Sequence, residues 1–223
     1  MNIREEARKM KLVAPVLAAS SNEMRNSALR AIAEALAANK EKIFAANAED
    51  CRAAEEGGIA PAVMKRLAFN ESKLADVCKG IDQLISLPDP IGKSLLKREL
   101  DAGLVLERVS VPIGVIGVIF ESRPDALIQI SSLCIKSGNS VLLKGGREAL
   151  GTNQILTELV RRALSESSLP ADSAQLLETR EDVAEMLKED TLIDLIIPRG
   201  SNSFVRYIMN HSRIPVLGHS DGI

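Results

Sequence analysis

Two hydrophobic rhythms divide the chain. From Asn2 to about Ser86 apolar residues recur every third or fourth position, as in Leu29, Ile32, Ala33 and Leu36, and again in Leu74, Val77, Cys78, Ile81 and Leu84. That spacing puts them on one face of a helix, and the Ala-rich composition of the stretch supports it, so residues 1–90 read as a helical layer. Ser20-Ser21-Asn22 suits the start of a second helix and Asn70 with Glu71 that of a fourth, while Gly57-Gly58 and Pro61 interrupt the run between them. Leu87-Pro-Asp-Pro90 ends the layer, because each Pro removes a backbone donor and biases its predecessor towards extended structure. A linker is predicted next.

The second rhythm belongs to strands. Leu104 to Ser110 alternates polar and apolar positions, and Pro112 and Gly114 lead into a continuous apolar run, Val115 to Phe120, which predicts a strand buried on both faces. Helix Asp125 to Lys136 should end at Gly138, followed by strand Val141 to Leu143 and helix Glu148 to Leu164. Weaker units follow: strand Ala174 to Leu177, helix Glu181 to Leu187, strand Leu192 to Ile197, helix Asn202 to Asn210 and a last strand, Ile214 to Leu217. Alternating strands and helices predict an α/β fold with a parallel sheet covered on both faces over residues 91–223.

In such sheets ligands bind beyond the carboxyl ends of the strands. Two polar clusters fall there: Phe120, Glu121, Ser122, Arg123 and Pro124 after one strand, and Lys144, Gly145, Gly146 and Arg147 after the next. Side by side on one rim they would offer cations and uncovered backbone amides to an anion. Arg199, Gly200 and Ser201 follow a third strand, where Ser201 suits a helix N-cap and the free amides of the first turn suit a phosphate.

Composition narrows the partners. A formal net charge of −2 over 223 residues gives no global field for nucleic acid or an acidic membrane, so an anion site has to be local. The apolar runs are too short to span a bilayer. Cys51, Cys78 and Cys134 form no CxxC pair, and with only His211 and His219 beside them no metal-ligand spacing emerges. An odd cysteine number and no cationic, apolar leader point to a reducing, cytoplasmic setting.

The order of pieces resembles the cofactor half of the aldehyde dehydrogenase superfamily, and the wording is similar to its gamma-glutamyl phosphate reductase (glutamate-5-semialdehyde dehydrogenase) family. Four segments carry the likeness: Val111-Pro-Ile-Gly-Val-Ile-Gly-Val-Ile-Phe-Glu-Ser-Arg-Pro124, Leu143-Lys-Gly-Gly-Arg-Glu148, Asp194-Leu-Ile-Ile-Pro-Arg-Gly-Ser-Asn202 and Ile214-Pro-Val-Leu-Gly-His-Ser-Asp-Gly222. The resemblance implies a Rossmann-like NADP(H)-binding domain. It also implies NADPH-dependent reduction of L-glutamyl 5-phosphate to L-glutamate 5-semialdehyde and phosphate, a step of proline biosynthesis, and a functional coupling to glutamate 5-kinase. It leaves a homo-oligomer open. In the wider family the Lys matching Lys144 holds the adenosine ribose, and an acidic residue shortly after it favours the hydroxyls of NAD. Arg147 stands near that position, and a guanidinium matches phosphate, so a preference for NADPH is expected.

By the same resemblance Gly200 and Ser201 would hold the pyrophosphate. The Phe120 to Pro124 loop would face the nicotinamide, with Ser122 as an oxyanion donor where relatives carry Asn and Arg123 towards substrate phosphate. The family's Gly-rich turn is replaced by Leu177-Glu-Thr-Arg-Glu181, and its general-base Glu has no counterpart near Leu217 to Gly222. Its nucleophilic Cys should lie in a catalytic domain beyond Ile223. Cys78 and Cys134 sit on apolar helical stripes and Cys51 on a polar helix, so all three read as packing residues and no catalytic residue is assigned within the chain. His219 reads as structural or solvent-exposed rather than catalytic. Two alternatives remain: a coenzyme A-acylating aldehyde dehydrogenase, and a non-catalytic binding or scaffold domain.

Overall fold

A computed structural model describes residues 2–218. Helices α1 (Ile3–Ala19), α2 (Asn22–Ala38), α3 (Lys40–Glu56), α4 (Pro61–Leu67) and α5 (Glu71–Ser86) come first. The side chains of Asn2, Ser21 and Asn70 accept hydrogen bonds from the Glu5, Met24 and Lys73 amides and so start α1, α2 and α5. Five helices stand where the spacing predicts four, because the second predicted helix is divided at Asn39, whose amide bonds back to Ala35 and Leu36 and closes α2. Arg25 is 1% exposed and makes paired bonds of 2.7 Å to Asp89, tying α2 to the segment that ends the helical region.

The predicted linker is wrong in part. Ser94–Asp101 is a strand, β1, pairing antiparallel with β2 (Leu104–Val109) in a two-stranded sheet of its own. Both strands are exposed along their whole length, so the alternation of Leu104 to Ser110 does not reflect a half-buried face. No periodicity rule identifies a strand whose two faces both meet solvent.

The main sheet holds β3 (Val115–Ile119), β4 (Ser140–Lys144), β5 (Ala174–Leu176) and β6 (Leu195–Pro198), all parallel, in the order β5-β4-β3-β6. The predicted last strand reduces to a single bridge between Val216 and Ile196. Between the strands run α6 (Pro124–Lys136), α7 (Leu150–Glu166, entered by a 3-10 turn at Arg147–Ala149) and α8 (Arg180–Met186), and α9 (Asn202–His211) follows β6. Successive strand residues point to opposite faces. Ile116, Val118, Phe120, Val141 and Leu143 pack with α2, α5, α6 and α7, whereas Val115, Ile119, Leu142 and Ile196 pack with α1, α8 and α9. The first helix therefore covers the face opposite its neighbours in sequence. The fold is α/β, with both faces of the parallel sheet covered as the alternation predicts.

Candidate functional site

Register brings the three rims together. Ile119 pairs with Lys144 on one side and with Pro198 on the other, so β3, β4 and β6 end at one level. The chain moves outward from β3 to β4 and β5 and then returns to β3's other edge as β6, which makes the β3–β6 junction the switch point where α/β sheets open a crevice. A cleft of about 1220 Å³ lies there.

Phe120, Glu121, Ser122, Lys144, Gly145, Gly146, Arg147, Arg199, Gly200 and Ser201 all line this cleft. Arg123 and Pro124 are not among its lining residues: Pro124 is buried at the start of α6, and Arg123 turns onto Asp125 at 2.5 Å, which raises the guanidinium's pKa further. His219 lies outside the described residues.

The glycines also have a reason within the fold. A Cβ on Gly145 would meet the Asn153 amide at 2.3 Å and the Phe120 ring at 3.1 Å, and one on Gly146 would meet the Glu148 carboxylate at 2.1 Å. At Gly145 the buried Asn153 amide and Phe120 ring leave no room for a side chain, whereas at Gly146 the contact is with the end of the flexible Glu148 side chain. Glu148 reaches further and accepts a hydrogen bond from Ser122, joining the β3 and β4 rims. The Ser122 proton is directed to a carboxylate in this arrangement, and an oxyanion role would need that bond to open. Lys144 is 7% exposed and donates to the Gly145 carbonyl at 2.5 Å.

Several lining residues lie outside the set expected from the sequence. Val63 and Arg66 arrive from α4, Glu178 and Thr179 from the turn before α8, and Phe204 and Tyr207 from α9. Arg66 pairs with Glu121 at 3.2 Å across the mouth, with both side chains about half exposed. Glu148 sits one residue past Arg147 in a quoted motif, yet only the folded geometry aims it at Ser122.

Helix ends decide where negative charge is welcome. Asp125 stands in the first turn of α6, and Thr179 with Asp182 forms a capping box on α8. The α7 amides of Gly151 and Thr152 are taken by Asp50. In α9 the first turn has no acidic residue, its cap is the Ser201 hydroxyl, and Arg199 precedes it. Of the four, α9 presents the most favourable field for an anion at the cleft.

All three thiols are poor nucleophiles. Burial pushes Cys134 up to about 12, and burial followed by a neighbouring carboxylate, Asp50 or Asp82, raises Cys51 and Cys78. None of them lines the cleft. Among the described residues no group of three or more His, Cys, Asp or Glu side chains could hold a metal ion, and no helix is long and apolar enough to cross a membrane.

The model of the aldehyde dehydrogenase family matches residues 2–217. The chain belongs to the aldehyde dehydrogenase family. It is 56% identical over all 223 residues to gamma-glutamyl phosphate reductase of Acetivibrio thermocellus, covering 52% of that protein. It is also 56% identical to the enzyme of that name from Pelotomaculum thermopropionicum, covering 51% of it. Crystal structures of gamma-glutamyl phosphate reductase from Thermotoga maritima and Saccharomyces cerevisiae superpose with TM-scores of 0.94 and 0.92, at 34% and 42% identity. They match 97% and 100% of this chain, and 53% and 57% of their own. The chain thus spans about half the length of the curated relatives it matches. A probable aldehyde dehydrogenase from Listeria monocytogenes, 18% identical with a TM-score of 0.76, shares the fold.

Proposed function

We propose that this chain is the cofactor-binding part of an NADPH-dependent gamma-glutamyl phosphate reductase, which converts L-glutamyl 5-phosphate to L-glutamate 5-semialdehyde and phosphate in the cytoplasm. The observation that carries the reading is the convergence of Lys144, Arg147 and Arg199 with the uncapped-by-carboxylate end of α9 in one cleft at the switch point of the sheet. The donor set fits a dinucleotide phosphate. Cations and amides at two separated tips suit two phosphate-bearing regions, and the cleft is roomy enough for both halves of the molecule.

Lys144 and Arg147 would hold the adenosine end, with Arg147 on the 2′-phosphate. The α9 amides at Gly200 and Ser201 would take the pyrophosphate. Phe120 and Ser122, at the tip of β3, would orient the nicotinamide side. When bound, the cofactor supplies the hydride. The chain's own residues bind and orient, while the thiol that displaces phosphate would come from polypeptide outside these 223 residues, because each cysteine present has a raised pKa and lies off the cleft.

The test is turnover by the intact protein, followed by loss of NADPH absorbance. Oxidation of NADPH with glutamyl 5-phosphate, and its reversal by semialdehyde only when phosphate is added, are the expected results. Turnover of an acyl-coenzyme A instead, or the absence of saturable NADPH binding, would refute the reading.

A further inference from the structure

We propose that Asn47 and Asp50 on α3 form a polar clamp that positions the adenosine rim of the cleft, a role that rests on the cofactor reading above. The two residues are three apart and so share one helix face. Asp50 accepts from the Gly151 amide at 3.2 Å, the Thr152 amide at 2.7 Å and the Thr152 hydroxyl at 2.6 Å. It is the cap that α7 lacks locally, since Ala149 at the N-cap has no side-chain acceptor for the first-turn amides.

Asn47, 5% exposed, works in two directions. Its amide nitrogen donates to the Thr152 hydroxyl at 3.2 Å and to the Leu67 carbonyl at 3.0 Å, and its oxygen accepts from the Phe69 amide at 2.6 Å. The Cys51 thiol adds a contact to that oxygen at 3.7 Å. Leu67 ends α4, which carries Val63 and Arg66 into the cleft. Thr152 lies five residues beyond Arg147, on the far side of the turn that presents Arg147 and Glu148. One face of α3 therefore holds both walls of the adenosine end. A small apolar cluster of Ala54, Leu67 and Ala149 packs beneath it.

The rim segment has one end in the sheet, where the Phe120 amide bonds to the Lys144 carbonyl at 2.9 Å. Asp50 fixes the other end. Gly145 and Gly146, which restrict the backbone least, lie between them, so the turn at Arg147–Ala149 depends on Asp50 together with the Ser122–Glu148 bond for its position. A rim displaced by about 1 Å loses paired contacts to phosphate. Neither Asn47 nor Asp50 lines the cleft, so the effect on ligand passes through the rim.

The experiment measures, by calorimetry on the intact protein, affinity for adenosine 2′,5′-bisphosphate and for reduced nicotinamide mononucleotide, with unfolding measured in parallel. Asp50→Asn and Thr152→Val should weaken the bisphosphate about tenfold while changing the mononucleotide less than about twofold. Thr152→Ser, which keeps the hydroxyl, should restore affinity to within about twofold of wild type. Ile81→Ala, in the α5 core, should lower stability and leave both affinities unchanged. If Asp50→Asn does not fold, the Thr152→Val and Thr152→Ser pair decides. Wild-type bisphosphate affinity in both Asp50→Asn and Thr152→Val overturns the proposal, as does an equal loss in Ile81→Ala. No bisphosphate binding by the wild-type protein would instead refute the cofactor reading itself.

Discussion

Replacing Arg147 by Glu should lower the preference for NADPH by an amount the geometry bounds. Arg147 opens the 3-10 turn at the β4 rim, is exposed, and makes no ion pair with a described residue, so its guanidinium is available to ligand. The neighbouring carboxylate, Glu148, accepts a hydrogen bond from Ser122. A hydrogen bond to a charged group contributes about 1.5–3 kcal/mol, and exposure discounts the pair to about 1–2 kcal/mol. That is roughly five- to thirtyfold in affinity for a ligand bearing a 2′-phosphate. NADH has hydroxyls there and loses nothing, while the new carboxylate can accept from them. The ratio of NADPH to NADH affinity should therefore fall by at least about fivefold in Arg147→Glu, with the wild-type preference weakening as salt is added. Titration followed by the fluorescence of the reduced nicotinamide reads both constants, and the protein has no Trp to complicate the signal. An unchanged ratio would refute the assignment of Arg147 to the 2′-phosphate.

Two further outcomes follow from the same geometry. Gly145→Ala forces a methyl group to 2.3 Å from the Asn153 amide, so it should lower stability by about 1–3 kcal/mol in urea unfolding without any ligand present; a neutral result would return the glycine to a purely ligand-related role. Cys134 titrates from 9.0 unfolded to about 12 folded, so its contribution to stability is complete below pH 9 and lost as pH rises towards 12. The loss amounts to about 1.4 kcal/mol per pH unit between those limits. Unfolding curves of Cys134→Ala should lack that share of the alkaline decline, and parallel decline in both proteins would count against the burial argument.

Much of the sheet was legible because its strands are buried on both faces and therefore continuously apolar. Val115 to Ile119 could be nothing else, and the polar residues that stop it mark the rim. The β1–β2 hairpin was half missed because the informative contrast between a wet and a dry face does not exist in it. The destination of α1 was equally hidden. Its apolar stripe, Ile3, Ala7, Met10 and Ala14, says that one face is buried but not against which side of the sheet. For the site, residue types at strand ends were enough to assemble the cations. They were not enough to find what restrains them, since the Ser122–Glu148 bond spans 26 residues and the Arg66–Glu121 pair 55.

The choice of anion seat among the four helix starts depends on one such distant contact. Local sequence already disqualifies α6 and α8, which carry Asp125 and Asp182 in their first turns. By local sequence alone α7 is the strongest candidate left, because it follows the Lys144-Gly-Gly-Arg147 segment and has no acidic residue in its first turn. Asp50 cancels that advantage from 101 residues away by placing a full negative charge where the helix dipole contributes about half a positive one. On the proposed reading the cation-bearing loop after β4 and the amide-bearing start of α9 would take different parts of an extended ligand, Arg147 through its side chain at one end of the cleft and α9 through backbone at the other. A compact anion would need only one of these two seats; a molecule with phosphates at two separated points uses both.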